Sequence, residues 1–295
     1  MYKVDSVSVT ISARTRALCV LGYPVEHSVS PEMQNAALQG ARLPYVYTAY
    51  SVPPDRLEPA LMGLQALGFA GANLTIPHKE PAAKLVDEVS EEARALGAIN
   101  TVRFRDDVME GHNTDVHGFL EPLRGLKTVI QGAQATVVGA GGAARAVVYG
   151  LLRSGASVTI INRTEQRART LAEHMMRATG RSAVAAVAVG SDRAEAAVRE
   201  SSILVNATSA GMHPREDELP GIEPEWLHSG MLVYDLIYRP RQTKLLALAE
   251  RAGCQTLNGL PMLVHQGAQS LRLWLGIEPD VERMAEAARR ALEDS

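Results

Sequence analysis

The stretch QATVVGAGGAARAVVYGLLRSGASVTIINRT, residues 134–164, decides the fold. A short apolar run at 135–138 leads into Gly139-Ala140-Gly141-Gly142, a helix-forming run follows at 143–152, and 157–161 is a second, β-branched run. Within about thirty residues these features predict a strand, a tight turn, a helix and a second strand, which is the order of a βαβ unit.

The glycine turn has the spacing of a dinucleotide-binding site. Gly139, Gly141 and Ala144 match G-x-G-x-x-A, in which the first glycine permits the turn, the second admits a pyrophosphate and the third residue lets helix and strand pack closely. A phosphate there would meet free helix N–H groups and the positive end of the helix dipole. A glycine turn can also serve packing alone, but the flanking elements favour the nucleotide. The predicted phosphate-binding residues are Gly139, Ala140, Gly141, Gly142 and Ala143.

The end of the second strand favours NADP(H) over NAD. An NAD site usually has Asp or Glu there, to hold the ribose 2′-hydroxyl. This chain has Asn162, Arg163 and Thr164, with Arg167 one helical turn later. A guanidinium can hold a 2′-phosphate through paired charged hydrogen bonds, whereas a carboxylate would repel it. The alternative is that Thr164 caps the next helix and the arginines are solvated; because capping and binding are compatible, we predict NADP(H) as the cofactor.

The composition excludes several classes of protein. At 295 residues the chain is long enough for two domains, and its net charge of −3 gives no support to a nucleic-acid partner. Cys19 and Cys254 lie far apart without metal-ligand spacing, so we expect no disulfide framework, no metal site and a reducing cytoplasm. With no apolar signal core and no run long enough to cross a bilayer, we expect a soluble protein without a membrane partner.

The N-terminal part alternates predicted strands and helices, which indicates a mostly parallel sheet whose ligands bind beyond the carboxyl ends of its strands. Strands are predicted at 17–22, 45–50, 70–76 and 97–102, with helices from Pro31 and at 54–67. Residues 1–15 carry no clear pattern, and both an irregular extension and an extra edge strand stay open. In the C-terminal part, further strands are predicted at 183–187, 203–206 and 231–235, and the last helices at 262–275 and 279–292.

Polar side chains gather where the N-terminal strands end. Asn73, Thr75 and Lys79 follow one strand, and alternation places Asn73 and Thr75 on one face, with Leu74 and Ile76 on the other. Any one of them alone is most simply a solvated surface residue, but three at one strand end favour a site. Asn100 lies among apolar residues of a predicted strand, so its amide must find partners in the backbone or a ligand.

Two serines and an aspartate have competing structural explanations. Ser30 suits the N-cap before Pro31, whereas Ser28 has no assigned structural role; an extended backbone would aim both hydroxyls to one side. Asp115 precedes an amphipathic helix at 116–123, where an acid also favours the helix dipole.

Nine motifs in this order resemble the shikimate dehydrogenase family, and they cover the chain from about Ala17 to its end. They are HSVSP from His27, NLTIPHK from Asn73, GAINT from Gly97, GHNTD from Gly111, GAGGAARA from Gly139, NRT from Asn162, NATSAGM from Asn206, DLIYRP from Asp235 and NGLPMLVHQGA from Asn258.

The resemblance implies a two-domain α/β fold. An N-terminal α/β substrate domain with a mostly parallel sheet would cover 1–116, and a Rossmann-like NADP-binding domain 117–257. Residues 258–295 would form C-terminal helices that return to the substrate domain, with the active site in the cleft. The implied reaction is the reversible NADPH-dependent reduction of 3-dehydroshikimate to shikimate, in aromatic amino-acid (chorismate) biosynthesis. The implied partner is a small molecule, and a homodimer is compatible.

Residue roles follow from the same resemblance. Lys79 and Asp115 would be the catalytic pair, Gly259 and Met262 would approach the nicotinamide, and Ala210 or its neighbours the cofactor ribose. Thr208 and Ile237 complete the implied cofactor-binding residues. The implied substrate-binding residues are Ser28, Ser30, Asn73, Thr75, Lys79, Asn100, Asp115, Tyr238 and Gln266.

The chemistry agrees with these roles. Reduction of a ketone by hydride leaves an alkoxide that must receive a proton, which the Lys79 ammonium can donate while Asp115 orients it. An adjacent carboxylate favours the charged lysine and desolvation the neutral one, and the sequence leaves both open. The chain departs from the family pattern at Asn258, where Asp is common, and at Pro261, where Gly is common.

Two alternative functions remain. One is a quinate/shikimate dehydrogenase that uses NAD as readily as NADP. It would need a different polar environment near Ser28 and Ser30, so the paired serines and Arg163 favour shikimate and NADP. The other is a non-catalytic NADP-binding paralogue, which the joint presence of Lys79, Asp115 and both serines disfavours.

Overall fold

The computed structural model of the protein describes residues 11–293, which form two compact units. The first unit contains the chain up to Thr114 together with the chain from Gly267 onward, and the second is Asp115–Gln266. The domain limits inferred from the sequence, 116/117 and 257/258, stay predictions. Of the unpatterned stretch 1–15, residues 1–10 lie outside the described part. Thr15 N–H donates to Ser12 O over 2.9 Å, in a turn just before the first strand.

The first unit is built on a six-stranded sheet in the order β2-β1-β3-β5-β6-β4. The pairs β1–β2, β1–β3 and β4–β6 are parallel, and the pairs β3–β5 and β5–β6 are antiparallel. A 3₁₀ turn, Pro54–Arg56, precedes the second helix. The elements are β1 (Arg16–Gly22), α1 (Ser30–Gly40), β2 (Tyr45–Ser51), α2 (Leu57–Ala66), β3 (Gly71–Leu74), α3 (Lys79–Ala82), β4 (Glu88–Val89), α4 (Glu91–Leu96), β5 (Thr101–Arg105) and β6 (Val108–His112).

Two predicted strands are shorter than the sequence pattern suggested. The strand predicted at 70–76 ends at Leu74 because His78 N–H donates to Thr75 O over 2.8 Å and closes a turn; Ile76 is therefore 75% exposed instead of sharing the buried face of Leu74. The strand predicted at 97–102 begins only at Thr101, so Asn100 precedes it rather than lying inside it.

The second unit has a six-stranded sheet in the order β12-β11-β10-β7-β8-β9, with every pair parallel. Its central strands are fully buried, as at Val137 and Leu204, since helices cover both faces of such a sheet. This arrangement confirms the Rossmann-like prediction. The elements are α5 (Asp115–Gly125), β7 (Gln134–Val138), α6 (Gly142–Arg153), β8 (Ser157–Asn162), α7 (Glu165–Thr179), β9 (Val184–Ala188), α8 (Asp192–Arg199), β10 (Ile203–Asn206), β11 (Leu232–Asp235), α9 (Lys244–Arg251) and β12 (Gln255–Leu257).

Two helices, α10 (Leu260–Leu275) and α11 (Val281–Glu293), end the described chain. Helix α11 packs against α1. The indole N–H of Trp274 on α10 donates to Val102 O over 2.9 Å, and a Cβ at Gly71 would lie 2.1 Å from that indole nitrogen. Because Gly71 has no side chain, the Trp274 ring can pack directly against β3. None of the helices within 11–293 is both long and apolar enough to cross a bilayer.

Candidate active site

Backbone hydrogen bonds bring Lys79 and Asn100 to the end of β3. Leu74 N–H donates to Asn100 O over 2.8 Å, and Ile99 N–H donates to Lys79 O over 2.9 Å. Lys79 is partly exposed and is the first residue of α3, which is a single turn. Lys79 and Asn100, which lie on separate segments of the sequence, are therefore held next to each other at the end of β3.

The amide of Asn73 is oriented by a buried polar network. Tyr47 OH donates to Asn73 Oδ1 over 2.8 Å, and Asn73 Nδ2 donates to Ser270 Oγ over 2.9 Å and to Asn100 O over 3.1 Å. An amide with both ends bonded cannot flip, so these partners fix which atoms Asn73 presents. Neither Tyr47 nor Ser270 was identified from the sequence, although a serine inside the apolar run of α10 is a signal that was available.

Asn100 is held in the same way by the segment that precedes α5. Its Oδ1 accepts the Thr114 N–H at 2.8 Å, and its Nδ2 donates to Thr114 Oγ1 over 2.9 Å. Asn100 is 2% exposed, so the partners that its buried amide requires are supplied largely by the protein itself.

Thr75 lies where the serine loop leaves β1. Thr75 N–H donates to Leu21 O over 2.9 Å, and a Cβ at Gly22 would lie 2.5 Å from Thr75 Cγ2. Only a residue without a side chain allows this close approach. The loop that carries Ser28 and Ser30 therefore starts directly against Thr75, at the end of the first sheet where Asn73, Lys79 and Asn100 also lie.

The predicted cap at Ser30 is wrong. Helix α1 begins at Ser30 itself, Val29 occupies the N-cap position, and no side chain caps the helix. Instead, Ser28 Oγ accepts the Ser30 N–H at 3.3 Å. Because Val29 has already turned towards the helix at φ −90°, ψ 9°, the hydroxyl in reach of the first N–H comes from two residues earlier. The structural role thus belongs to Ser28 rather than to Ser30.

Ser28→Ala and Ser30→Ala are expected to differ in stability. Both should weaken shikimate binding, but only Ser28→Ala should lower the free energy of unfolding, by about 0.5–1.5 kcal/mol, since it removes a hydrogen bond. Ser90→Ala is the control, because Ser90 Oγ accepts the Ala93 N–H at the same 3.3 Å in the same unit but is not a site residue. Thermal melts with and without shikimate measure both effects. A serine variant that shikimate stabilises as much as it does the wild type has no role in substrate binding.

Asp115, Tyr238 and Gln266 belong to the second unit. Asp115 begins α5 and is 4% exposed, and Gln266 lies on α10. A Cβ at Gly118 would lie 2.7 Å from Gln266 Cβ, so a glycine on α5 lets these two helices touch near their predicted site residues. Tyr238 lies beyond the end of β11 and is partly buried.

The glycine turn has the geometry that a phosphate requires. Gly139 has φ +116°, a conformation that side chains disfavour, and a Cβ there would lie 2.9 Å from Ala207 O. A Cβ at Gly141 would meet nothing within 4 Å, so the space beside the turn is open. Helix α6 begins at Gly142 without a side-chain cap, and its first N–H groups can therefore bind an anion. These residues fit a dinucleotide.

The glycine turn opens into a cavity of about 400 Å³. Arg163 and Arg167 line this cavity and are exposed, as expected of groups that read a 2′-phosphate. Arg215 also lines the cavity. It was not predicted from the sequence, because its loop has no recognisable pattern. Its guanidinium donates to Ser209 Oγ over 3.1 Å and forms an ion pair with Glu218 at 3.3 Å. The other predicted cofactor residues in its lining are Gly139, Ala140, Gly141, Asn162 and Thr208.

Six predicted cofactor residues do not line this cavity. Thr164 occupies the N-cap position of α7, but its side chain makes no capping hydrogen bond, which corrects the expectation that it caps the helix. The Asn162 side chain bonds the backbone of Thr164, because its Nδ2 donates to Thr164 O over 2.9 Å. The other five are Gly142, Ala143, Ile237, Gly259 and Met262.

A buried carboxylate, Asp235, ends β11. Asp235 Oδ1 accepts from Asn206 Nδ2 at 2.9 Å and from Ile237 N–H at 3.1 Å, while Oδ2 accepts from Thr243 Oγ1 at 2.6 Å. Burial raises the pKa of Asp235 to about 6, although these three hydrogen bonds oppose the shift. In the sequence, Asp235 stands out only as the first residue of the DLIYRP motif.

The raised pKa predicts a pH dependence of stability. A carboxyl whose pKa is 3.8 unfolded and about 6 folded holds its proton longer in the folded protein, so its contribution to the free energy of unfolding falls as pH rises through that window. The fall is up to about 3 kcal/mol. We expect wild type to lose stability relative to Asp235→Asn between pH 4 and pH 6, and the difference to be constant above that range. Urea unfolding of both proteins across this range measures it. A difference that is flat with pH would contradict the assignment.

Comparison with known protein families matches three segments of the chain. Residues 20–102 match the shikimate dehydrogenase substrate binding domain, residues 124–219 the shikimate / quinate 5-dehydrogenase family, and residues 259–289 the shikimate 5′-dehydrogenase C-terminal domain. The chain is 46% identical over 285 residues to a shikimate dehydrogenase (NADP(+)) of Methanopyrus kandleri, covering 96% of this chain and 98% of the relative.

Solved structures agree with the sequence matches. A shikimate dehydrogenase in complex with NADP+ is 36% identical, with a TM-score of 0.89 and coverage of 97% of this chain and 99% of that one. The shikimate 5-dehydrogenase of Thermus thermophilus, in complex with NADP(H) and shikimate, is 40% identical, with a TM-score of 0.85 and coverage of 94% and 100%. With its motifs, its two sheets and its glycine turn accounted for, the chain belongs to the shikimate dehydrogenase family.

Proposed function

We propose that this protein interconverts 3-dehydroshikimate and shikimate with NADP(H), and that Lys79 and Asp115 are its catalytic pair. The observation that carries the proposal is the convergence of Asn73, Thr75, Lys79 and Asn100 at one end of the first sheet. Relatives that carry the name shikimate dehydrogenase (NADP(+)) support the reaction and the cofactor.

The substrate is a ring with several hydroxyls and one carboxylate, and the proposed site offers groups of matching chemistry. Ser28 and Ser30 supply hydroxyls, and the fixed amides of Asn73 and Asn100 supply donors and acceptors whose direction is set by buried partners. Thr75, Tyr238 and Gln266 complete the set. A site built to hydrogen-bond hydroxyls discriminates strongly against analogues that lack them, because its buried polar groups are then left unpaired.

Lys79 acts on the proton. During reduction, its ammonium donates a proton to the oxygen that becomes the new hydroxyl, and its positive charge stabilises the negative charge that develops there. During oxidation, the same group accepts the hydroxyl proton. Asp115 orients the ammonium and accepts from a neighbouring substrate hydroxyl. These two residues belong to different units, and the family resemblance is what supports their pairing.

The second unit holds the cofactor. The N–H groups at the start of α6 would bind the pyrophosphate, and Arg163 and Arg167, which line the cavity, would bind the 2′-phosphate. By the family resemblance, Gly259 and Met262 would approach the nicotinamide. NADP(H), when bound, supplies or accepts the hydride. The residues of the chain fix its position and, by selecting the 2′-phosphate, its identity.

We also place the enzyme in the cytoplasm, in the chorismate route to aromatic amino acids, and allow for a homodimer. Cys19 and Cys254, the two cysteines of the chain, are both buried and form no disulfide, which suits a reducing compartment. The route follows from the substrate, since shikimate is its intermediate.

The reaction is tested by mixing the purified protein with shikimate and NADP and following absorbance at the reduced-nicotinamide wavelength. We expect a steady rise that depends on both reactants and reverses with 3-dehydroshikimate and NADPH. Calorimetric titration with NADP alone accompanies it. NADP binding without turnover would indicate the non-catalytic paralogue, and absence of both would contradict the proposal.

A further inference from the structure

We infer that Asp235 is a positioning residue of the cofactor site, whose carboxylate ties the loop after β10 to the loop after β11. The inference rests on the proposed function, because it takes these two loops as walls that contact NADP(H). Asp235 lies at the carboxyl end of β11, on the side where parallel sheets bind their ligands, yet it is 0% exposed and cannot itself touch a ligand. It must therefore act through its neighbours.

One arm of the network runs from Asp235 to the cavity. Asn206 Nδ2 donates to Asp235 Oδ1 over 2.9 Å and to Ala210 O over 3.3 Å. Asn206 Oδ1 accepts from Thr208 Oγ1 at 2.7 Å and from Thr208 N–H at 3.0 Å, and Thr208 Oγ1 accepts the Ala210 N–H at 3.1 Å. Residues 207–210 line the 400 Å³ cavity together with the glycine turn. The conformation of these residues is thus set by Asn206, whose own amide is set by Asp235.

The other arm runs towards the predicted nicotinamide end. Ile237 N–H donates to Asp235 Oδ1 over 3.1 Å, and Ile237 O accepts the Gly259 N–H at 3.0 Å. A Cβ at Gly259 would lie 1.9 Å from Leu236 O, so this contact allows no side chain and little movement. Oδ1 of Asp235 therefore holds residues 207–210 through Asn206, and it holds Gly259, at the predicted nicotinamide end, through Ile237.

The energetics support a positioning role over a purely stabilising one. The partners of Asp235 are an amide, a backbone N–H and a hydroxyl, and burial raises its pKa, so its ionised form is a cost to folding at neutral pH. A carboxylate has two oxygens that only accept, and it can therefore receive three donors from three separate elements. The third is Thr243, whose Oγ1 also caps α9 by accepting the Leu246 N–H at 3.3 Å.

The test compares cofactor dissociation constants, by calorimetry, for wild type, Asp235→Ala, Asp235→Asn and Thr136→Val. Asp235→Ala should raise Kd for NADP and for NAD alike by about tenfold, as expected for the loss of two hydrogen bonds that order the site. Asp235→Asn keeps one acceptor oxygen for Asn206 and Ile237, so it should recover most of that affinity.

Thr136→Val is the matched control for stability. Thr136 is fully buried on β7 in the same unit, and its Oγ1 bonds Ser201 Oγ at 2.6 Å and Ala197 O at 3.1 Å, away from the cavity lining. It should lower the melting temperature and leave both dissociation constants unchanged. If Asp235→Ala does not fold, Asn206→Ala takes its place, since it breaks the link to residues 207–210 and should show the same loss for both cofactors.

Three outcomes overturn the inference. They are a wild-type Kd in the folded Asp235→Ala or Asn206→Ala variant, a loss confined to NADP, and a loss of equal size in Thr136→Val. The proposed function can fail separately from this inference. In that case the wild type would not oxidise shikimate, but Asp235→Ala would still weaken NADP binding.

Discussion

Lys79→Ala is expected to lower kcat for shikimate oxidation by about 10²–10⁴-fold, the usual contribution of a general acid–base group, while the KM for shikimate changes little. The reason is that the ammonium is required mainly where charge develops on the reacting oxygen. Lys79 sits beside Asn100 at the end of β3, held by the Ile99 N–H at 2.9 Å from its carbonyl oxygen, so its backbone should stay in place when the side chain is removed.

Lys84→Ala is the matched control for this variant. Lys84 is an exposed lysine of the same segment, five residues further along, and its replacement should leave both constants unchanged. Steady-state kinetics of wild type and the two variants, with both reactants varied, separate the effects. A Lys79→Ala enzyme with wild-type kcat and a raised KM would make Lys79 a binding residue, and the proposed proton donor would have to be sought elsewhere.

Arg163→Ala should raise the KM for NADP about 10- to 150-fold and leave the KM for NAD almost unchanged. A hydrogen bond to a charged group contributes roughly 1.5–3 kcal/mol to binding. NAD lacks the 2′-phosphate, so it makes no such bond with Arg163 and loses nothing when the arginine is removed. Arg163 lines the cavity with Arg167 and is exposed, so added salt should screen it and narrow the preference of wild type for NADP.

Arg169→Ala serves as the control for charge alone. Arg169 is an exposed arginine on α7, the helix that carries Arg167, but it pairs with Glu165 and does not line the cavity. The measurement is kcat/KM for both cofactors at saturating shikimate. Equal losses for NADP and NAD in Arg163→Ala would mean that this arginine holds the shape of the loop, and the choice of NADP would then depend on other residues such as Arg215.

The strand, turn and helix around Gly139 and Gly141 were predictable because their signals are local. The turn at Gly139 and Gly141 lies between a strand and a helix that its own sequence defines, and Arg163 and Arg167 follow the next strand directly. Steric demands on glycine and the period of a helix act within a few residues, so sequence alone specifies them.

Of the parts that the sequence did not predict, some depend on the exact local backbone path and others on distant partners. The hairpin of β5 and β6 makes the first sheet mixed, and the Ser28 hydroxyl bonds the first helical N–H because of the backbone angles of Val29. The partners of Asn73, Tyr47 and Ser270, lie 26 and 197 residues away. No periodicity or spacing encodes such contacts, which is why Asp235 also showed itself only in the structure.

We propose that this dehydrogenase is selective for NADP over NAD and for shikimate over quinate. The most direct test of this selectivity is kcat/KM of the wild type for the four pairings of NADP or NAD with shikimate or quinate, measured from the formation of reduced nicotinamide. We predict the highest value for NADP with shikimate, and a lower value whenever either partner is replaced. Equal values for NADP and NAD, or for shikimate and quinate, would contradict the claim and favour a quinate/shikimate dehydrogenase.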